Sequence, residues 1–108
     1  MKLYIGGAFQ GQEELARLEN PNSEIISAFH ELMREKTREG ADAREFAREF
    51  VYSHPDAVVV SDEIGSGIVP MNAFERAWRE STGRALCVIA SSAETVTRVV
   101  CGIGRRIK

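Results

Sequence analysis

The chain has 108 residues, with 16 Asp and Glu against 14 Lys and Arg, a net charge of −2 and 44% apolar residues. That length suits one core of ordinary size and excludes a multidomain enzyme, and the apolar share excludes a disordered chain. No run approaches the about 18 uncharged apolar residues that a membrane helix needs. Near-neutral charge gives no global sign of nucleic-acid binding. Two isolated cysteines, Cys87 and Cys101, make neither a disulfide framework nor a zinc site. The reading is a cytoplasmic chain in which residues 1–108 form one domain, with neither a nucleic-acid nor a membrane partner.

Lys2 to Ile5 is a short strand that stops at Gly6-Gly7. Residues 11–19 read as a helix with Leu15 and Leu18 on one side. Pro21 interrupts it, because the residue before a proline avoids the helical region. A second helix is expected from 22 to 39, with Ile25, Ile26, Phe29, Leu32 and Met33 at helical spacing and Gly40 as its C-terminal cap. Residues 24–49 mix seven acids with five bases, which reads as a solvated surface with pairs such as Glu31–Arg34 and Glu45–Arg48. Asp42 with Glu45 opens a third helix, closed by His54-Pro55. The unbroken run Ala57–Val60 suits a strand covered on both faces. Asn72 with Glu75 starts a longer helix to about 94, with Phe74, Trp78, Ala85 and Ile89 inward. Val96 to Cys101 is a third strand, followed by a short edge segment at 105–108.

Strands alternating with helices predict an α/β fold, a small three-layer domain like those of P-loop NTPases, with a narrow, mostly parallel sheet of three to four strands. Exposed edges on so narrow a sheet predict a homo-oligomer. The two cysteines and the aromatic residues read as core, and His30 and His54 as surface or capping residues.

Ligands of open α/β sheets bind beyond the carboxyl ends of the strands. Two glycine-rich loops fall there. In the first, Gly6 and Gly11 have the spacing of G-x-x-x-x-G-K-[ST], in which backbone N–H groups wrap phosphates at a helix N-terminus. Gly6, Gly7, Ala8, Gly11, Gln12 and Glu13 are therefore candidate nucleotide-binding positions. Gln12 stands where the phosphate lysine belongs and Glu13 where the magnesium-binding hydroxyl belongs. A carboxylate there repels phosphate unless a cation intervenes. A plain strand-to-helix turn is the alternative. The second loop runs Ser61-Asp62-Glu63-Ile64-Gly65-Ser66-Gly67-Ile68-Val69-Pro70. Its adjacent carboxylates suit Mg²⁺ coordination by Asp62 and Glu63 or hydroxyl activation by Glu63, the candidate catalytic residue. Gly65 and Gly67 permit close backbone approach to a ligand. The alternative is that one carboxylate caps the loop or pairs with an arginine.

Residues 59–108 resemble the C-terminal part of the bifunctional adenosylcobinamide kinase/adenosylcobinamide-phosphate guanylyltransferase family of cobalamin assembly. The matching elements are Glu63-Ile64-Gly65-Ser66-Gly67-Ile68-Val69-Pro70, Asn72, Arg76 through Gly83-Arg84, Val99-Val100-Cys101-Gly102-Ile103-Gly104 and Ile107-Lys108. Tyr4-Ile5-Gly6-Gly7-Ala8 is similar to the family's opening strand and G-G-A-R-S-G-K-S turn. The resemblance implies a corrinoid-pathway protein that takes nucleotide (GTP or ATP with Mg²⁺) or a corrinoid. The sequence departs from the family at Gln12 and Glu13, at Asp62, where asparagine is usual, and at Leu86-Cys87, where an Asn–Gln pair is frequent. Residues 20–55 lack the family's acidic segment and its nucleotidyl-accepting histidine. His30 shows no motif match to that histidine. The resemblance with these departures implies weakened or lost kinase activity and no guanylyl transfer, in a shortened relative. A non-catalytic binding or regulatory module is the alternative.

Overall fold

The computed structural model describes residues 1–65 and 72–108. The chain runs β1 (Lys2–Gly6), α1 (Gln12–Glu19), β2 (Ile25–Ile26), α2 (Phe29–Arg38), α3 (Ala43–Ser53), β3 (Val58–Asp62), α4 (Ala73–Ser92), β4 (Thr95–Val100) and β5 (Ile103–Arg106). The strands form a five-stranded sheet in the order β2-β3-β1-β4-β5. All neighbours are parallel except β4 and β5, which pair antiparallel.

The layers follow from side-chain alternation. Leu3, Val59 and Val96 enter one cluster with Phe29 and Met33 of α2, Ala47 and Phe50 of α3, and Ala85 and Ile89 of α4. Tyr4, Val58, Val60 and Val99 point the other way and meet Ala16 of α1. The result is a three-layer α/β domain, with β3 buried on both faces as its unbroken valines predict.

Several expectations change. The stretch 22–39 is not one helix. Ile25 and Ile26 pair with Val58 and Val59 as an edge strand, which brings the sheet to five strands rather than three or four. Two β-branched residues at helical spacing also fit a strand, and here pairing decided. Leu18 is exposed, because α1 is short and turns only Ala16 and Leu15 toward the sheet. Phe9 is fully exposed rather than core. Both cysteines are exposed, not buried. Arg34 bonds Glu75 across to α4 at 2.9 Å and lies over the Trp78 ring, instead of pairing with Glu31. The caps behave as read: Asp42 accepts from the N–H of Glu45, and Asn72 from those of Phe74 and Glu75. No described helix is long and apolar enough to cross a membrane.

Candidate functional site

The chain leaves β1 toward β3 on one side and returns from β3 to β4 on the other. The carboxyl end of β1 is therefore the point where the topology reverses, the place open α/β sheets use for ligands. The parallel register sets Gly6 of β1 opposite Asp62 of β3 and Val99 of β4. A Cβ at Gly6 would stand 2.5 Å from the Val99 carbonyl oxygen, so only glycine fits there. Gly11 takes a left-handed conformation, φ 88°, as the N-cap of α1. No side chain caps that helix, and its first turn opens onto a cavity of about 620 Å³.

Gln12 lies at the centre. Its side chain is buried, and its amide nitrogen donates to the carbonyls of Gly6 (3.2 Å) and Gly7 (3.0 Å) and to Asp62 Oδ1 (2.8 Å). Three acceptors converge on a group with two hydrogens. An amide cannot give each of the three a hydrogen of its own, whereas an ammonium, with three, could. The Gln12 carbonyl oxygen is buried without a hydrogen-bond partner.

Asp62 also orders His30. Its backbone N–H donates to His30 Nδ1 at 3.0 Å, and its Oδ2 lies 3.5 Å from His30 Nε2. Since Nδ1 accepts, neutral His30 carries its proton on Nε2, facing Asp62 and the Glu31 carboxylate at 3.8 Å. The sequence reading makes His30 a surface or capping residue. The structure puts it in the cavity wall beside Gln12 and Asp62.

Glu13 turns outward to Arg17 at 3.3 Å. Hydrogen bonds from Ser27 and Arg17 hold its carboxyl below the usual range. Glu63 Oε1 accepts from Gly65 N–H at 2.7 Å, so this carboxylate caps its own loop. The Gly65 carbonyl accepts from Arg79. Gly7 and Ala8 are exposed in the turn. Gly67 lies outside the described residues. The described residues gather no group of three His, Cys, Asp or Glu side chains that could hold a metal. With Asp62 bonded to Gln12, Glu63 to its loop and Glu13 turned out to Arg17, this donor set does not fit a resident Mg²⁺ ion.

A further feature was invisible in the sequence. Phe9, Ala28 and Cys101 are the non-glycine residues with positive φ among those described, at 62°, 54° and 51°, and all three line this cavity. Such backbone strain gathers where function holds it. Cys101 and Gly102 form the two-residue turn of the β4–β5 hairpin. Their N–H groups donate to the side-chain and main-chain oxygens of Gln10, each at 2.7 Å. The hairpin tip thereby braces the glycine turn. Glu13, Glu14 and Asp62 contribute three carboxylates to the wall, and its described lining contains no Lys or Arg.

A three-layer α/β domain with a glycine turn leading into an uncapped helix at the topological switch defines a P-loop-like protein. The model for the family described as "Cobinamide kinase / cobinamide phosphate guanyltransferase" matches residues 13–107, and the chain belongs to that family. It is similar to the "Bifunctional adenosylcobalamin biosynthesis protein CobU" of Salmonella typhimurium strain LT2, 45% identical over 51 residues. The corresponding protein of Escherichia coli K12 is 43% identical over 51 residues. Each match covers 47% of this chain and 28% of the relative, so the chain aligns with little more than a quarter of their length.

Proposed function

We propose that this chain, residues 1–108 acting as one unit, serves cobalamin biosynthesis or salvage and binds GTP or ATP at a degenerate P-loop. Its kinase activity is weakened or lost and it performs no guanylyl transfer. The observation that carries the reading is the Gln12 amide, held by Gly6, Gly7 and Asp62 where a lysine would sit. The backbone cradle supports binding. The chemistry at its centre does not support turnover, because a neutral amide cannot stabilise a transferring phosphoryl group as an ammonium does. Losing one such electrostatic contact costs about 3–4 kcal/mol, or 10²–10³ in rate. Glu13 and Glu14 in the first turn of α1 further offset the helix dipole that would attract phosphate.

In this reading Gly6, Gly7, Ala8, Gly11, Gln12, Glu13, Gly65 and Gly67 border the nucleotide. Asp62 holds the Gln12 amide, and Glu63 would activate a hydroxyl only after releasing Gly65. Calorimetric titration with GTP, ATP and cobinamide at millimolar ligand, with and without Mg²⁺, is the test. Saturable heat from a nucleotide supports the proposal, and heat from none of the three ends it.

A second reading, a non-catalytic binding module, is favoured by the three carboxylates and the absence of Lys and Arg in the described cavity wall. Heat from cobinamide with none from either nucleotide selects it. Self-association belongs to both readings. The outer edge of β5 pairs with no described strand, and Val100, Ile103 and Ile107 are exposed beside it. A sedimentation mass above 12.0 kDa at micromolar concentration is expected, and the monomer mass contradicts it.

A further inference from the structure

The charges of α3 are sorted. Glu45 and Glu49 line a groove shared with Lys36, Glu39 and Asp42. Arg44 and Arg48, one turn apart, line a different groove of about 380 Å³ against α4, where Arg84, Cys87 and Ser91 complete the wall. Among the described residues no carboxylate lines this second groove. It shares no residue with the cavity at the strand ends.

Two arginines at i,i+4 repel each other, and helices normally relieve this with neighbouring acids. This chain does so elsewhere: Arg17 pairs with Glu13, Arg38 with Glu35 and Arg84 with Glu80. Arg44 and Arg48 have no such partner among the described residues, although Glu45 and Glu49 follow them directly in sequence. Two of the C-terminal carbonyls of α4, which would repel an anion, are occupied by a side-chain cation. Lys108 Nζ donates to the oxygens of Ala90 (3.0 Å) and Ser91 (2.8 Å), bringing a fourth cation beside the groove.

We propose that the α3–α4 groove is a second binding site, for a small ligand bearing a multiply charged phosphate group. The unpaired guanidiniums of Arg44 and Arg48 supply forked donors matched to phosphate oxygens, while Arg84, paired with Glu80, borders the groove. Two uncompensated guanidiniums one turn apart suit a multiply charged phosphate group better than a singly charged anion.

Inorganic pyrophosphate is the probe, titrated into the full chain at fixed ionic strength. Each groove carries one exposed cysteine, Cys87 here and Cys101 at the strand-end cavity, so alkylation by iodoacetamide reports which site fills. Saturable binding that protects Cys87 but not Cys101 is expected. The R44Q/R48Q double variant should weaken binding at least tenfold, and E49Q on the neighbouring groove should leave affinity unchanged or higher. Both arginines are exposed, so their loss leaves the core intact, and circular dichroism checks this. Absence of saturable binding, protection confined to Cys101, or equal affinity in the folded double variant overturns the proposal.

Discussion

The Gln12 side-chain amide donates to Asp62 Oδ1 at 2.8 Å, across 50 residues of sequence. This bond joins the two glycine-rich loops into one site, because parallel pairing sets Gly6 opposite Asp62. His30 then locks Asp62 from the other side through its main-chain N–H. The three residues form a chain of hydrogen bonds in the cavity wall, and each leaves a signature that can be measured.

His30 should not accept a nucleotidyl group. Its Nδ1 is engaged and its Nε2 bears the proton, so neither nitrogen offers a lone pair to phosphorus. Incubation with α-labelled GTP should leave the protein unlabelled, and an acid-labile label mapped to His30 refutes this assignment. H30A should cost about 1–3 kcal/mol in urea unfolding, since the Asp62 N–H loses its acceptor.

Gly6 should not tolerate alanine. The added Cβ meets the Val99 carbonyl, a backbone atom held in the β1–β4 ladder, and the strands must part to admit it. G6A should lower stability by about 1–3 kcal/mol or more in urea unfolding. G40A is a useful contrast. Gly40 has open space around its Cβ position but a φ of 74°, so its cost comes from backbone strain alone, on the order of 1–2 kcal/mol.

Tyr4 gives the fold a pH dependence at the alkaline end. Burial, then the hydrogen bond with Glu19, raises its hydroxyl above the ordinary 10.0. A group whose pKa is raised by folding contributes stability that is complete below the unfolded value and is lost as pH rises through the folded one. Stability should therefore hold up to about pH 10 from this residue and fall above it. Y4F should flatten that decline in unfolding curves recorded between pH 9 and 11. An equal decline in the variant assigns the effect elsewhere.

Legibility in the sequence tracked the range of the interaction. The Asp42 and Asn72 caps, the buried valine strand and the three-layer order were readable, because each depends on neighbours in sequence or on a simple alternation. Ile25 and Ile26 were not, since two apolar residues satisfy helix and strand alike until β3 is there to pair with them. Gly6 and Gly11 stand out by motif spacing and Asp62 by its place at the end of a buried strand, whereas His30 enters the site only through the fold, with no local pattern to mark it. Glu63 shows the same limit in reverse. A carboxylate at a strand end suggested chemistry, and the loop's own Gly65 N–H takes it. The positive φ at Phe9, Ala28 and Cys101 follows from tertiary bracing and left no trace in composition.

In the function proposed above, a phosphate cradle survives with an amide in place of its lysine. Trp78, the chain's one tryptophan, donates to the His30 carbonyl at 2.7 Å, so its fluorescence reports on the cavity wall. The decisive measurement titrates GTP with Mg²⁺ against the native chain and the Q12K/E13S variant, followed by calorimetry and Trp78 emission. Weak binding by the native chain is expected, with at least about tenfold tighter binding by the variant, whose ammonium takes the place among Gly6, Gly7 and Asp62 now held by the amide. A folded variant that binds GTP no better than the native chain contradicts it.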